Sequence, residues 1–396
     1  MADTDKLYEN AGELTKACLD NIMKGDYTFF DDEDELTCEY LLTYKFKTFA
    51  DGLTDAITAK GYTGDISAAD EKTAFIKQKC NANNVPLNPS IVKTWFKDTR
   101  PVSSEKSREN VYKLCFALEM NALETADFFL KVYYECPFNY RILDEAVYYF
   151  CMNNNKGYTY AQSLKEKAER IFNDSEKHGA EYEFTSAIGE GLRDIHNEEE
   201  FLSFVTKNAG EFHICNRTAY NHAARLIEEC CKLAKNECEN RDDIRQQVGR
   251  KIANIDMLIY VIFGEDMNRY KNDDSFAKAS EFPELVKSNF PLKMNLSKIR
   301  TGKKVSYDTM RKALILLSFY RYYAELFQDN KYSNFCVIEE DFRGFIAETN
   351  DMLFSCGYPD LYVRNPFDWL IMHCANNEYP LEEFKNAVKR YYLDMV

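Results

Sequence analysis

Apolar side chains recur along most of this chain at steps of three and four residues, the spacing of one face of an α-helix. Around Phe49, Leu53 and Ile57 such a face is well formed. Gly61 follows where a helix of this kind would end. The sequence has no sustained alternation of apolar and polar residues, which is the pattern of a half-buried strand. The chain is therefore predicted to be all-α.

The same spacing predicts a series of helices. They cover 42–62, 68–84, 89–96, 111–118, 122–135, 198–212, 217–234 and 242–264. Asn88 is predicted to cap the third of them, because Pro89 stands at its first position and asparagine is a favoured cap. The polar stretch 103–110 is expected to lead into the helix at 111–118 rather than to form part of it.

Two stretches of the chain, residues 88–118 and residues 293–317, resemble each other. The matched positions are Phe96 with Ile299, Lys97 with Arg300, Arg100 with Lys303, Val102 and Ser103 with Val305 and Ser306, and, after a four-residue difference in loop length, Lys113 with Lys312. Each copy is predicted to form a short helix, a basic loop and an apolar helix. Two copies are too few for a solenoid, so a duplicated domain is the better interpretation.

A second similarity follows each copy. Residues 144–168 parallel residues 367–390, with Cys151 matched to Cys374, and in both a buried helix is predicted to end at an Asn-rich turn.

The length of 396 residues, with 45% hydrophobic residues, fits two or three domains. We predict an acidic segment at 1–40, the first copy at 41–172, a helical middle domain at 173–280, and the divergent second copy at 281–396.

The thirteen cysteines stand mostly in apolar, helical surroundings, which favours reduced thiols in a core over a disulfide framework. The N-terminus shows no signal-peptide pattern, and no stretch reaches 18 uninterrupted apolar residues. We therefore expect a cytoplasmic protein with no membrane partner.

Positive charge is concentrated in the two copies. The net charge of the chain is −15, yet residues 86–113 carry +3 and residues 292–313 carry +6, which leaves −24 on the rest. Such an acidic chain is not an indiscriminate nucleic-acid binder, and the two basic stretches become the candidate contacts.

The stretch Ser90–Phe96, with the basic loop Lys97–Arg100 and Pro101, resembles the helix-turn-helix of the lambda-repressor-like family. Residues Leu296–Lys304 keep the pattern in reduced form. The resemblance implies binding of double-stranded DNA, as a transcriptional regulator or mobile-element control protein. A recognition helix presents its N-terminal residues to base edges, and the following loop reaches phosphates. The implied contacts are Ser90, Lys93, Thr94, Lys97 and Arg100 in the first copy, and Asn295, Ser297, Lys298, Arg300, Lys303 and Lys304 in the second.

With two such units, one chain could bind two DNA half-sites, as a dimer of one-unit proteins does.

The segments 128–158 and 357–384 are also similar to those that follow the helix-turn-helix in uncharacterised regulators of Gram-positive gut bacteria. That resemblance implies a bacterial, cytosolic protein associated with mobile elements.

Other chemistry has little support in the sequence. The phosphate-binding glycine motifs, the HExxH motif and the GxSxG motif are absent, so no enzyme and no cofactor are predicted. The histidines and cysteines between His213 and Cys238 match no zinc spacing, so no metal is predicted. A faint recognition-like pattern at 216–227 is better explained as an amphipathic helix with Ala223, Leu226 and Ile227 inward.

A function of another class stays open. The strongly acidic remainder of the chain suits a helical protein that binds a protein or ribonucleoprotein partner through its acidic surface and keeps the helix-turn-helix as scaffold. The sequence leaves the oligomeric state and the operator undetermined.

Overall fold

A computed structural model describes residues 48–97, 99–101, 104–174, 185–212, 217–240, 254–264, 290–329, 337–362 and 365–393. In these ranges every regular element is helical, which confirms the all-α prediction. The predicted acidic segment 1–40 lies outside them. No helix in the described ranges is long and apolar enough to cross a membrane.

Sixteen α-helices occur in the described residues. They are α1 (Phe49–Ala59), α2 (Ala69–Ala82), α3 (Pro89–Trp95), α4 (Glu105–Ala117), α5 (Ala122–Phe128), α6 (Leu143–Asn153), α7 (Tyr158–Asp174), α8 (Thr185–Arg193), α9 (Glu198–Lys207), α10 (Arg217–Asn240), α11 (Asn254–Phe263), α12 (Lys293–Arg300), α13 (Tyr307–Asp329), α14 (Glu339–Ser355), α15 (Pro366–Ala375) and α16 (Pro380–Leu393). A π-helical turn, Phe129–Tyr133, follows α5, and a 3-10 turn, Ala209–Glu211, follows α9.

Side-chain caps set the starts of α3 and α4. Asn88 accepts a hydrogen bond from the amide of Ser90 at 2.9 Å, so the predicted cap of α3 is confirmed. The next helix starts earlier than predicted. Ser104 accepts a hydrogen bond from the amide of Ser107, and α4 begins at Glu105. The polar stretch thus forms the first part of α4, because charged residues with long side chains are good helix formers.

The predicted helix 122–135 is interrupted. The helix α5 ends at Phe128, the π-helical turn follows, and Tyr134 takes a left-handed conformation with φ of 56°. The guanidinium of Arg100 lies 4.4 Å from the ring centroid of Tyr134 and donates hydrogen bonds to the carbonyls just before it. A tertiary contact from another segment therefore reshapes this helix end.

The described helices divide between two hydrophobic cores. The first contains residues of α1–α9 and extends to Phe212; the second begins at Ala219 and contains residues of α10–α16. We call these the first half (residues 48–212) and the second half (residues 217–393). The division differs from the predicted middle domain at 173–280, because α8 and α9 complete the first core while α10 and α11 build the second.

The sequence repeat corresponds to matching helices in the two halves. The pair α3 and α4 corresponds to α12 and α13, and the pair α6 and α7 to α15 and α16. Lys113 forms an ion pair with Glu109 at 3.5 Å, and Lys312 forms one with Asp308, each four residues back in its helix. These two lysines match only across the four-residue gap. The ungapped register set by Val102 and Val305 aligns Arg108 with Arg311 instead.

Each half contains a buried arginine–carboxylate pair in the same place. In the first, two nitrogens of Arg108 lie 2.7 and 2.8 Å from the carboxylate oxygens of Glu145. The same carboxylate accepts the amide of Asn139, six residues earlier, at 2.6 Å. The arginine comes from α4 and the carboxylate from the first turn of α6.

The second pair repeats this arrangement. Two nitrogens of Arg311 lie 2.8 and 2.7 Å from the oxygens of Asp368, which also accepts the amide of Tyr362, again six residues earlier, at 2.9 Å. Glu145 and Asp368 correspond in the alignment that matches Cys151 with Cys374. We call the two pairs the first and second arginine clamps.

Buried cysteines fill both cores, as the sequence predicts. The nine cysteines in the described residues are all free and buried: Cys80, Cys115, Cys136, Cys151, Cys230, Cys231, Cys238, Cys356 and Cys374. Burial raises the pKa of the Cys115 thiol, and also that of Cys136, to about 12.

We expect these nine thiols to resist alkylation in the folded protein, because the thiolate is the reactive form. At pH 8, peptide-level mass spectrometry after iodoacetamide treatment should show labelling more than about tenfold slower than in urea, as expected for protonated, inaccessible thiols. Rapid native labelling of Cys115 or Cys374 would contradict the packing described.

Candidate nucleic-acid interface

The first candidate recognition helix, α3, is held by its apolar face. Val92 and Trp95 are buried, 1% and 3% exposed, and the Trp95 ring meets that of Phe49 edge-on at a centroid distance of 5.5 Å. This packing leaves Ser90 and Thr94 exposed on the opposite side. Two of the predicted base contacts are therefore accessible.

Lys93 forms an ion pair within the chain. Its Nζ lies 2.6 Å from a carboxylate oxygen of Asp70 in α2. The hydrogen bond from Lys93 lowers the pKa of Asp70, and the positive charge of Lys97 contributes a smaller lowering. Both partners face solvent, so the pair is weak and a phosphate could compete for the lysine. Lys97 itself is exposed.

Arg100 is placed inside the structure rather than toward a ligand. One guanidinium nitrogen donates to the carbonyls of Val132 and Tyr133, at 2.9 and 2.5 Å, and the group stacks on Tyr134. The sequence assigns Arg100 to a DNA phosphate. In the structure it instead fastens the basic loop to the π-helical turn, because those carbonyls have no helical partner beyond the turn.

The second candidate recognition helix, α12, is also held by a buried apolar face and has more exposed positive charge. Leu296 and Ile299 are its buried residues. The predicted contacts Asn295 and Ser297 are half-buried beside them.

The cations of α12 and its loop point outward. Lys298, Arg300, Lys303 and Lys304 are all exposed. The second unit therefore presents more positive charge than the first, as the local charge balance predicts.

The loop after α12 is fixed by backbone hydrogen bonds. Gly302 takes a φ of 67°, a conformation that favours glycine, and the amide of Lys303 then donates to the carbonyl of Lys298 at 2.8 Å. Tyr220 of α10 bridges the next turn: its hydroxyl donates to the Lys303 carbonyl at 2.9 Å and accepts the Val305 amide at 3.0 Å. The side chain of Lys303 is thus presented from a rigid loop.

The basic loop of the second unit lies against the first turn of α4. Nζ of Lys304 lies 2.7 Å from a carboxylate oxygen of Glu105 in the first turn of α4. Both side chains are more than 70% exposed, so the pair adds little stability. It does place the loop of the second unit against the start of the helix that follows the loop of the first.

A groove beside the second unit adds basic residues that the sequence analysis did not single out. Arg300 lines it together with Lys232 and Lys235 of α10, over a floor that includes Ile227 and Cys231. The two lysines stand three residues apart on one helix face. Arg300 lies near these lysines because α10 packs against α12. A local sequence pattern does not predict such packing.

The faint recognition-like pattern at 216–227 forms the start of α10. Ala223, Leu226 and Ile227 are buried, as the amphipathic interpretation predicts. His222 and Arg225 contact each other on the outer side, and burial together with the nearby arginine charge lowers the pKa of His222. Asn216, the first residue of the pattern, lies outside the described residues.

In the residues that the structure describes, no three histidine, cysteine, aspartate or glutamate side chains are grouped to hold a metal ion.

Comparison of the chain with protein-family models, with curated proteins and with solved structures finds no match. The resemblance to lambda-repressor-like proteins therefore stays a prediction from the residues of the two units.

Proposed function

We propose that this protein binds double-stranded DNA through its two basic helix–loop units and acts as a transcriptional regulator or mobile-element control protein. The observation that carries the proposal is the Lys304–Glu105 contact, which places the loop of the second unit against the first turn of the helix that follows the loop of the first. The cations of a chain with a net charge of −15 are thereby gathered in adjoining segments. Duplex DNA is a dense line of negative charge, and such a cluster suits it.

The two units have different parts in this proposal. Lys97, Lys298 and Lys303 are exposed cations suited to phosphates, which position a protein without reading sequence. Ser90 and Thr94 are the exposed polar candidates for base edges in the first unit, and Arg300 is the candidate in the second. The acidic remainder of the surface would repel the duplex, and so favour one orientation.

A second candidate function is supported by the side chains that are already engaged. Lys93 pairs with Asp70, and Arg100 binds backbone carbonyls. The first unit then keeps few free cations, as expected if it is a scaffold in a protein that binds a protein or ribonucleoprotein partner. The helix-turn-helix shape alone does not decide between the two, since folds are reused.

The test is retention of labelled duplex fragments over a salt series. Specific binding should give a selected fragment and a linear log–log salt dependence, with a slope of about −0.9 per phosphate contact. Replacing Lys298 and Lys303 together by alanine should reduce the slope by about two, because two phosphate contacts are lost.

The matched control is Lys156→Ala with Lys207→Ala, which removes the same charge from two exposed lysines of the first half, outside both units. The control should keep the wild-type slope. If both double variants weaken binding equally, the attraction is a general charge effect. If the wild type retains no duplex at low salt, the DNA proposal fails and the protein-partner function is favoured.

A further inference from the structure

The two halves meet through equivalent segments. Asn365 Nδ2 donates to the carbonyl of Tyr134 at 3.1 Å. These residues lie in the segments 134–142 and 357–365, which correspond in the alignment of the second similarity. The Lys304–Glu105 contact likewise joins the start of α4 to the residues just before the equivalent helix, α13.

The arginine clamps lie at the same junction. The charges of Arg311, Asp308 and Asp368 of the second half, and of Arg108 of the first, all act on the buried thiol of Cys136. One arginine from each clamp therefore lies within electrostatic range of the same thiol.

This geometry distinguishes two ways of joining duplicated domains. In a head-to-tail arrangement, each domain uses two different surfaces, and equivalent residues stay one repeat apart. In an isologous arrangement, the same surface is used twice, and equivalent residues approach each other near a two-fold axis. The contact between the two corresponding segments is of the isologous kind. The packing of α8 in the first half against α14 in the second lies outside it. The helices α8 and α9, present only in the first half, make the symmetry approximate.

We infer that one chain is the complete DNA-binding unit, and that its target is an imperfect inverted repeat read by two non-identical units. This rests on the proposed function. The isologous surface that would join two copies is already filled by the second half, so no second copy is required. The symmetry of a binding site mirrors that of the protein, which makes the half-sites inverted rather than direct.

The half-sites should differ in sequence and in charge dependence. The first unit offers the hydroxyls Ser90 and Thr94, whereas the second offers the cations Lys298 and Arg300. Changing bases in the half-site of the first unit should alter how strongly the protein prefers its site over other DNA sequences. Changes to the second unit should have the stronger effect on salt dependence, because it carries more free cations.

The test selects bound duplexes from a random 30-base-pair library with the full-length protein, then measures the mass of the complex by native mass spectrometry. We expect an imperfect inverted repeat and one chain per duplex. Thr94→Ala should relax base preference in one half of the selected sequence. Arg300→Ala should relax it in the other half.

Each outcome bears on one of the two proposals. A direct repeat, a single half-site or two chains per duplex would overturn the inference and leave DNA binding in place. Loss of preference in the same half from both variants would also overturn it. Selection of no duplex at low salt refutes the proposed function, and the inference fails with it. Circular dichroism of both variants, expected to match wild type, checks that an altered preference is not unfolding.

Discussion

Replacing Arg311 by alanine should lower the free energy of unfolding by about 3–5 kcal/mol, the range for breaking a buried ion pair from one side. The side chains of Arg311 and Asp368 are 3% and 1% exposed. The arginine also donates to the carbonyls of Pro359 and Asp360. Its removal leaves a buried carboxylate without its charge partner, which is the origin of the large cost. Urea denaturation followed by circular dichroism measures the change.

A double variant separates loss of the pair from loss of volume. Arg311→Met with Asp368→Leu removes both charges and keeps apolar bulk, so it should cost less than Arg311→Ala alone, as replaced buried pairs generally do. Because the first clamp has the same geometry, Arg108→Ala should be destabilising on a similar scale. A change below about 1 kcal/mol for Arg311→Ala would show that water reaches Asp368, since solvent-screened pairs contribute that little.

The helical spacing of apolar residues predicts much of this fold, and its failures have local causes. The cap at Asn88 and the helix end at Gly61 are confirmed because both depend on neighbouring residues. The end of α5 is different. Its π-helical turn receives hydrogen bonds from Arg100, which is distant in sequence, and no local pattern contains that contact.

The division into two cores could not be read from composition. The predicted helices 198–212, 217–234 and 242–264 lie in the segment 173–280, and their spacing does not state which core each helix covers. The structure assigns α8 and α9 to the first core, and α10 and α11 to the second. The repeat, by contrast, marks matching helices correctly, since shared packing constrains apolar positions in both copies.

The candidate site shows the same limit. Sequence identifies the exposed residues Thr94, Lys97 and Lys298, because amphipathic spacing sets the outer face of a helix. It cannot distinguish Lys97 from Arg100, which has the same charge and lies in the same loop but donates to carbonyls of the π-helical turn. A charge in a loop becomes a ligand contact only where tertiary structure leaves it unengaged.

Replacing Trp95 by alanine should destabilise the first half by about 3–5 kcal/mol, the usual cost of removing a large buried aromatic side chain. Trp95 packs against Phe49 and forms the inner face of α3. The exposed neighbour Thr94 is the control, and Thr94→Ala should change stability by no more than about 0.5 kcal/mol, as exposed positions generally do.

The two tryptophans of the chain allow this effect to be located, because Trp95 lies in the first core and Trp369 in the second. In Trp95→Ala the fluorescence comes from Trp369 alone. We expect the unfolding midpoint followed by circular dichroism to move to lower urea concentration. The midpoint followed by Trp369 fluorescence should move less, since the second core keeps its own contacts. Coincident shifts would mean that the halves unfold as one unit, with the junction at the arginine clamps coupling them. If the two transitions separate, the DNA binding proposed for the first unit should be lost at urea concentrations that leave Trp369 buried.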